Sequence, residues 1–357
     1  MNTLNLMCPI TPHTGYGVTS FNILKALIKN YNIDLFPLGG PQVQSQEDKE
    51  LVVQCIRRGH TLYSKKNPCL KIWHQYDLAT RIGSGKYGAL VFFEVDKMNE
   101  LEINSMNNTD CIFVASKWAK KVLEDNNITT KIIVSPLAVD TDIFQASSET
   151  QKNDSTYRFI NIGKWEIRKG HDILVEAFNS AFTENDDVEL WMMNHNPFLN
   201  EEQNLAWQKL YSSSKLKNKI KFVPRVNTHK EVAQIIAQTD CGIFPARAEG
   251  WNNEILEVMA MDKPVITTNY SAHTEYCTTD NSYLIDIDKL VAAKDDHFFT
   301  NGFGKWAELG NKQIEQMVEH MRYVYTNNIR SNKNGLSTVK QYTWDNTANI
   351  ISQELFN

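Results

Sequence analysis

The sequence predicts an α/β protein made of two doubly wound, Rossmann-like domains. Short apolar runs that read as strands alternate with helix-period segments along most of the 357 residues. The alternation stops in the polar, aperiodic stretch Gln145 to Thr156 and starts again at Tyr157. Turns rich in glycine or charge fall between a strand end and a helix start, the place where open α/β sheets gather ligands. The expected division is 1–150, 151–335 and a closing helical segment 336–357.

In the first half, Asn2 to Ile10 reads as a strand and Val18 to Asn30 as a helix, with Gly15-Tyr16-Gly17 between them. Ile33 to Leu38 is a second strand and Glu47 to Arg58 a helix. Arg57 to Lys71 holds five basic side chains and no acidic one, a solvated face or a contact for a phosphate-bearing acceptor such as nucleic acid. Cys69 to Trp73 is a strand with His74 at its end. Ala89 to Phe93 is another, followed by Glu94, which either faces an acceptor or caps the next helix. Asp110 to Ser116, helix Lys117 to Asn126 and strand Ile132 to Val139 close this half.

In the second half, strand Tyr157 to Ile162 leads into Gly163 to Gly170 and a helix from His171 to Phe182. Lys164, Arg168 and Lys169 put three cations in this turn, a composition suited to a diphosphate or to plain solvation. Val188 to Met193, Glu201 to Ser213, Ile220 to Val223 and Glu231 to Gln238 continue the alternation, and Pro224-Arg225-Val226 ends the third strand. Cys241 to Asn269 then reads strand, loop, helix, strand. Glu249 lies in the loop and Glu257 one turn inside the helix, with seven residues between them. Asn252 or Asn253 is placed to cap that helix, with Glu254 in its first turn. Two carboxylates so spaced can accept hydroxyl hydrogen bonds around one pocket, or can be plain solvated glutamates. Trp306 to Tyr325 reads as a long amphipathic helix and Val339 to Leu355 as the last one.

The net charge of −5 gives no overall attraction to nucleic acid or an anionic membrane, and the deficit lies wholly after residue 150. No apolar run approaches the ~18 residues that span a bilayer, and the N-terminus shows no signal peptide. Six scattered cysteines argue against zinc and a disulfide framework and fit a reducing compartment. The expected location is therefore cytoplasmic, with peripheral membrane association left open.

AEGWNNEILEVMAMDKPVI resembles the E-x7-E segment of family 4 (group 1) retaining glycosyltransferases, usually EGFGLP-x-LEAMA-x-G-x-PVI. Gly163 to Gly170 is similar to that family's G-R-x-x-x-x-K-G turn, with Lys164 where Arg is usual. SKWAKK, PLAVDTDIF and YTW resemble its other signatures. The resemblance covers most of the chain and implies a GT-B fold, its two domains facing across a cleft. The first would be the acceptor side, the second the nucleotide-sugar side, and the last helix would cross back onto the first domain.

It further implies transfer of a hexose or pentose from a nucleoside diphosphate sugar, a UDP-sugar first, to a glycan or lipid-linked saccharide, with retention and without a metal. No cofactor is implied. Lys169, Lys164, Glu249 and His74 would be catalytic. Gly15, Gly17, Arg168, Val226, Trp251, Asn252, Asn253, Glu254 and Glu257 would bind donor, and Glu94 would lie on the acceptor side. Asp140-Thr141-Asp142 has the letters of a metal motif but sits at the expected domain end. Asn252-Asn253-Glu254 replaces the family's Gly-Leu-Pro, which changes how the backbone there can approach a sugar and adds side chains that could read it. Three alternatives stay open: glycosylation of modified DNA, a nucleotide-sugar epimerase, and an inactive nucleotide-sugar-binding relative.

Overall fold

The computed structural model describes residues 1–146, 154–295 and 297–357. Most of the expected linker, 147–153, and the expected boundary between 150 and 151 lie outside the described residues. The chain forms two compact units, Met1–Asp140 with Tyr342–Asn357, and Thr141–Gln341.

The first unit holds β1 (Thr3–Cys8), α1 (Gly15–Leu27), β2 (Asn32–Pro37), α2 (Gln46–Thr61), β3 (Cys69–Ile72), β4 (Tyr87–Leu90), α3 (Glu100–Asn107), β5 (Cys111–Val114), α4 (Lys117–Asp125) and β6 (Lys131–Val134). Its sheet is parallel, in the order β2-β1-β3-β4-β5-β6. β3, β4 and β5 are buried along their whole length. A strand covered on both faces reads as an unbroken apolar run, and that is how these appear in the sequence. Lys71 is the exception. It is 1% exposed, with its ammonium on Asp77 at 3.4 Å and on Thr80 Oγ1 at 3.0 Å. The basic run 57–71 therefore does not form one charged face, because its last member belongs to the sheet and Arg58 is turned onto the buried Asp34.

The second unit holds β7 (Tyr157–Gly163), α5 (His171–Ala181), β8 (Val188–Asn194), α6 (Glu201–Ser212), β9 (Ile220–Phe222), α7 (His229–Ala237), β10 (Cys241–Phe244), α8 (Asn253–Ala260), β11 (Val265–Thr268) and β12 (Tyr283–Ile285). β13 (Leu290–Ala292), β14 (Lys305–Ala307), α9 (Asn311–Thr326) and α10 (Lys333–Val339) follow. The main sheet is again parallel, ordered β12-β11-β10-β7-β8-β9. Counted within the unit this is the 3-2-1-4-5-6 order of dinucleotide-binding folds. A core that includes Phe159, Phe178, Leu190, Ile243, Met317 and Met321 fills the space between the sheet and its helices.

The long helix expected from Trp306 starts instead at Asn311, where Gly310 and Gln313 close the N-terminus. Trp306 and Ala307 lie in β14, which pairs antiparallel with β13 as a hairpin. α11 (Trp344–Phe356), capped by Thr343, belongs to the first unit. There Thr347 Oγ1 donates to the Pro136 carbonyl at 2.6 Å, Phe356 stacks on Tyr31, and Glu354 binds Lys86 and Lys131 at 3.1 and 2.6 Å.

Candidate active site

In a doubly wound sheet, neighbouring crossovers leave in opposite directions at one point, and the crevice beyond the carboxyl ends there is the natural ligand site. In the second unit that point lies between β7 and β10. The loop 164–170 leaves β7 and the loop 245–252 leaves β10.

The sequence explains why the two loops meet. Gly170 has φ +73°, and a Cβ there would lie 2.0 Å from the Pro245 carbonyl oxygen, so only glycine brings the loops this close. Arg247 grips Asp172 through two bonds of 2.7 Å and also donates to the Ile167 carbonyl. His171, fully buried, takes the Glu166 N–H on Nδ1 at 3.1 Å and faces Asn161 Oδ1 with Nε2 at 3.0 Å. Burial and the nearby Lys169 cation push its pKa down to about 3, so it is a neutral strut.

The junction gathers alternating charges. Glu249, 6% exposed, takes Arg168 on one carboxylate oxygen and Lys169 on the other, each at 2.8 Å. Lys169 also reaches Glu254 at 3.7 Å. Glu166 takes Arg168 and Lys164, each at 2.8 Å. Burial alone would raise the Glu249 carboxyl, but Arg168 and Lys169 hold it well below the usual range. Burial alone would lower the Lys169 ammonium, but Glu249 and Glu254 hold it above its usual value. Three cations face three carboxylates, so Lys169 is held by Glu249 and is not a free cation.

Arg168 was expected to bind donor. The structure commits it internally, to Glu166, to Glu249 and to the Ala248 carbonyl at 2.7 Å, where it positions Glu249. Lys164 is held by Glu166 and lies 5.2 Å from the Phe198 ring and 5.8 Å from Phe298. Glu166 is the member the sequence reading missed. A carboxylate set among three cations in one turn was its signal.

At the start of α8, Asn252 occupies the cap position without capping: its side chain accepts no helix N–H, and its φ is +77°. The expected side-chain cap is corrected in this respect, because a left-handed cap residue aims its side chain elsewhere. Asn252 Nδ2 lies 3.1 Å from His273 Nε2. The position where the family pattern has glycine thus keeps a glycine-like backbone, which Asn tolerates better than most residues. Asn253 and Glu254 form the first turn, and the Asn253 Oδ1 is buried without a partner. Glu257, half-buried one turn further, makes no side-chain hydrogen bond or ion pair among the described residues, and burial with the Glu254 charge pushes its pKa up to about 8. Trp251 is 4% exposed and packs on Tyr276, whose hydroxyl donates to the Trp251 and Asn252 carbonyls at 2.6 and 3.0 Å. It anchors the loop from the core side. Val226 lies on the loop after β9, the edge strand two places from β7.

The first unit has its own switch point, between β1 and β3. Gly15 opens α1 beside it. Thr14 Oγ1 accepts the Gly17 N–H at 3.2 Å and caps the helix. A Cβ at Gly17 would lie 2.3 Å from the Thr11 carbonyl oxygen, and this close approach accounts for the glycine. Tyr16 donates to the Phe92 carbonyl at 3.3 Å and rings His74 together with Trp73 and Tyr76, at centroid distances of 4.8, 4.8 and 5.2 Å. Burial first, and then the nearby Glu94 charge, push the Tyr16 hydroxyl pKa up. The structure thus brings His74, Tyr16 and Glu94 to one edge of the first unit, and Lys164, Lys169, Glu249, Asn252 and Glu254 to one edge of the second.

Two doubly wound units of this kind in one chain define the GT-B fold. The whole chain aligns with solved structures of that class. Sucrose-phosphate synthase from Thermosynechococcus elongatus superposes with a TM-score of 0.73 at 13% identity, over 99% of this chain and 98% of that one. HepE from Anabaena, in complex with UDP and glucose, gives 0.71 at 14% identity over 100% of both chains. These identities bear on the fold alone. Residues 156–298, which lie within the second unit, match the family model described as Glycosyl transferases group 1. Two uncharacterized glycosyltransferases of Methanocaldococcus jannaschii are 21% identical over 65% of this chain and 26% identical over 45%. The chain spans 60% and 40% of their lengths. Among the described residues no helix is long and apolar enough to cross a membrane.

Proposed function

We propose that the protein is a retaining, metal-independent glycosyltransferase of family 4 that moves a hexosyl or pentosyl group from a nucleoside diphosphate sugar to an acceptor hydroxyl. The observation that carries this is the β7–β10 switch point itself, where the buried Lys169 binds Glu249 and reaches Glu254 at the start of α8, the helix whose next turn carries the half-buried carboxyl of Glu257. A carboxyl that is ready to hold its proton both donates to and accepts from a diol, which suits the ribose of the donor. Lys169, with Lys164 beside it, would carry the charge that grows on the leaving diphosphate and that a divalent ion would otherwise carry. Glu249, anchored by Arg168, would orient the transferred sugar. UDP is the first choice of base, on the strength of the UDP-bound neighbour.

The acceptor is assigned to the edge of the first unit that holds His74, Tyr16 and Glu94, with a glycan or lipid-linked saccharide as its class. Six free, buried cysteines suit a reducing compartment such as the cytoplasm.

The test is a thermal-shift screen with UDP, GDP, ADP, CDP and TDP. A nucleotide at 100 times its dissociation constant adds ~2.7 kcal/mol, which is about 5–10 °C in a unit of this size. A rise with one nucleotide that Lys169→Ala abolishes is the expected result. No rise with any of the five would overturn the donor-site reading. Product analysis with sugar conjugates of the nucleotide that binds then separates transfer from epimerisation and from binding without turnover.

A further inference from the structure

We propose that Asn252 selects the sugar of the donor by accepting a hydrogen bond from one sugar hydroxyl, and that His273 is the positioning residue that fixes the Asn252 amide for this. The inference rests on the nucleotide-sugar reading above and deepens it.

The argument is one of hydrogen-bond accounting. His273 is fully buried, and its Nδ1 lies 3.1 Å from the Thr268 carbonyl oxygen, which can only accept. Two hydroxyls also approach Nδ1, Thr267 Oγ1 at 3.0 Å and Thr268 Oγ1 at 3.2 Å. Each has already given its hydrogen away, Thr267 to the Phe244 carbonyl at 2.9 Å and Thr268 to the Ala246 carbonyl at 2.6 Å. Everything facing Nδ1 accepts, so Nδ1 carries the hydrogen. Burial, ahead of the opposing pull of Glu249, lowers the His273 pKa to about 4, and the ring is neutral at ordinary pH. Nε2 therefore offers a lone pair. Its neighbour at 3.1 Å must be the donor end of the Asn252 amide, Nδ2.

The orientation of the amide follows, and with it the exposed chemistry. Asn252 Oδ1 is left as an acceptor, buried and without a partner among the described residues, on a residue that is 7% exposed. The same residue has a left-handed backbone. An orphaned acceptor and a strained backbone on one residue are both unfavourable, and such coincidences gather at ligand sites. Asn253 Oδ1 is a second buried acceptor without a partner, and Glu249 is a carboxylate. This wall offers two unused amide acceptors beside the first N–H groups of α8, which no side chain caps. It fits a sugar that presents free hydroxyls and penalises one that has lost the matching hydroxyl, since a buried polar site rejects an analogue that leaves it unpaired.

The experiment is calorimetric titration of the full chain with UDP, UDP-glucose and its 2-, 3-, 4- and 6-deoxy analogues, for the wild type and for Asn252→Gly. Glycine keeps the left-handed backbone, so the variant folds. The wild type is expected to bind one deoxy analogue about 10-fold more weakly than UDP-glucose, about 1.4 kcal/mol. Asn252→Gly is expected to lose that preference while holding UDP within about twofold, on the hydrogen-bond magnitude just used. A flat analogue series in the wild type, or equal weakening of UDP and every conjugate in the variant, would overturn the inference. Failure of the wild type to bind UDP would overturn the UDP-sugar reading as well, so the two failures are distinguishable. Nitrogen-15 NMR gives an independent check on the positioning role. His273 must appear as the neutral tautomer with hydrogen on Nδ1, and the opposite tautomer would remove the basis for the Asn252 orientation. Asn252→Asp places a carboxylate against Nε2 and should make sugar affinity pH-dependent between about 6 and 8, bracketing the ordinary histidine range. A pH-independent affinity in that variant would also count against the assignment.

Discussion

Replacing Lys169 tests whether the charge cluster at the β7–β10 junction is an energetic unit. Lys169 Nζ and one Glu249 oxygen are 2.8 Å apart, with side chains 10% and 8% exposed. Removing one member of a buried pair costs roughly 3–5 kcal/mol because the other charge is stranded. Here Arg168 still holds the second Glu249 oxygen at 2.8 Å, so Lys169→Met belongs at the low end, about 3 kcal/mol. In a unit of about 200 residues this lowers the melting temperature by roughly 6–12 °C. Glu249→Gln strands Lys169 only in part, since Glu254 lies 3.7 Å away. The double variant Lys169→Met/Glu249→Gln should recover part of the loss, with a coupling energy of about 1–3 kcal/mol. Urea denaturation of the four proteins measures it. Additivity within ~0.5 kcal/mol would refute the reasoning that the pair acts as a unit. The same proteins test the sharing of Lys169 with a diphosphate. Glu249→Gln frees the ammonium and should tighten UDP binding, whereas Lys169→Met should weaken it by at least ~10-fold. Weaker UDP binding in Glu249→Gln would mean that the carboxylate helps rather than competes.

Glu257 binds its proton more tightly in the folded chain than in the unfolded one, so its contribution to stability is full below the unfolded pKa and falls as pH rises through about 8. Denaturation midpoints between pH 5 and 8 should therefore fall less steeply with pH in Glu257→Gln than in the wild type, and an unchanged slope would contradict the raised pKa. His273 and His171 work in the opposite sense. Their folded pKa values lie near 4 and 3, below the unfolded value, so stability present above about 6.5 is lost as pH falls through that window. Removing His273 as His273→Gln should flatten the acid limb of the stability profile. Gly170→Ala would place a methyl group 2.0 Å from the Pro245 carbonyl on a left-handed backbone, and should lower both the melting temperature and UDP affinity. A stable variant that binds UDP normally would show that the loops need not meet there.

The parallel architecture was readable because buried parallel strands are continuous apolar runs and their helices carry the 3.6-residue period. Tyr157–Gly163, Val188–Asn194 and Cys241–Phe244 stand within a residue or two of the stretches expected from the sequence. Long-range pairing was not readable. Trp306 has helical spacing with later apolar residues, yet it is buried in a strand paired with Val291. Lys71 read as part of a basic run, and only the sheet reveals that its neighbours cover it. At the site the charged residues were legible as types and as a motif, but their mutual neutralisation was not. Glu166 lies two residues from both Lys164 and Arg168, a spacing that marks it as a partner without saying that it takes both cations. His273 could be seen as a histidine. Its tautomer depends on two threonine hydroxyls whose hydrogens are spent on the strand end before them.

Because α11 completes the first unit, that unit is discontinuous in sequence, and its parts leave the ribosome at different times. Roughly two hundred residues of the second unit separate them, which at 5–20 residues per second is a delay of roughly 10–40 s. During that interval the carboxylate that neutralises Lys86 and Lys131 and the ring that covers Tyr31 do not yet exist. The first half of the chain must wait with an open face while the second half is made, and it reaches its final packing last although it is synthesised first.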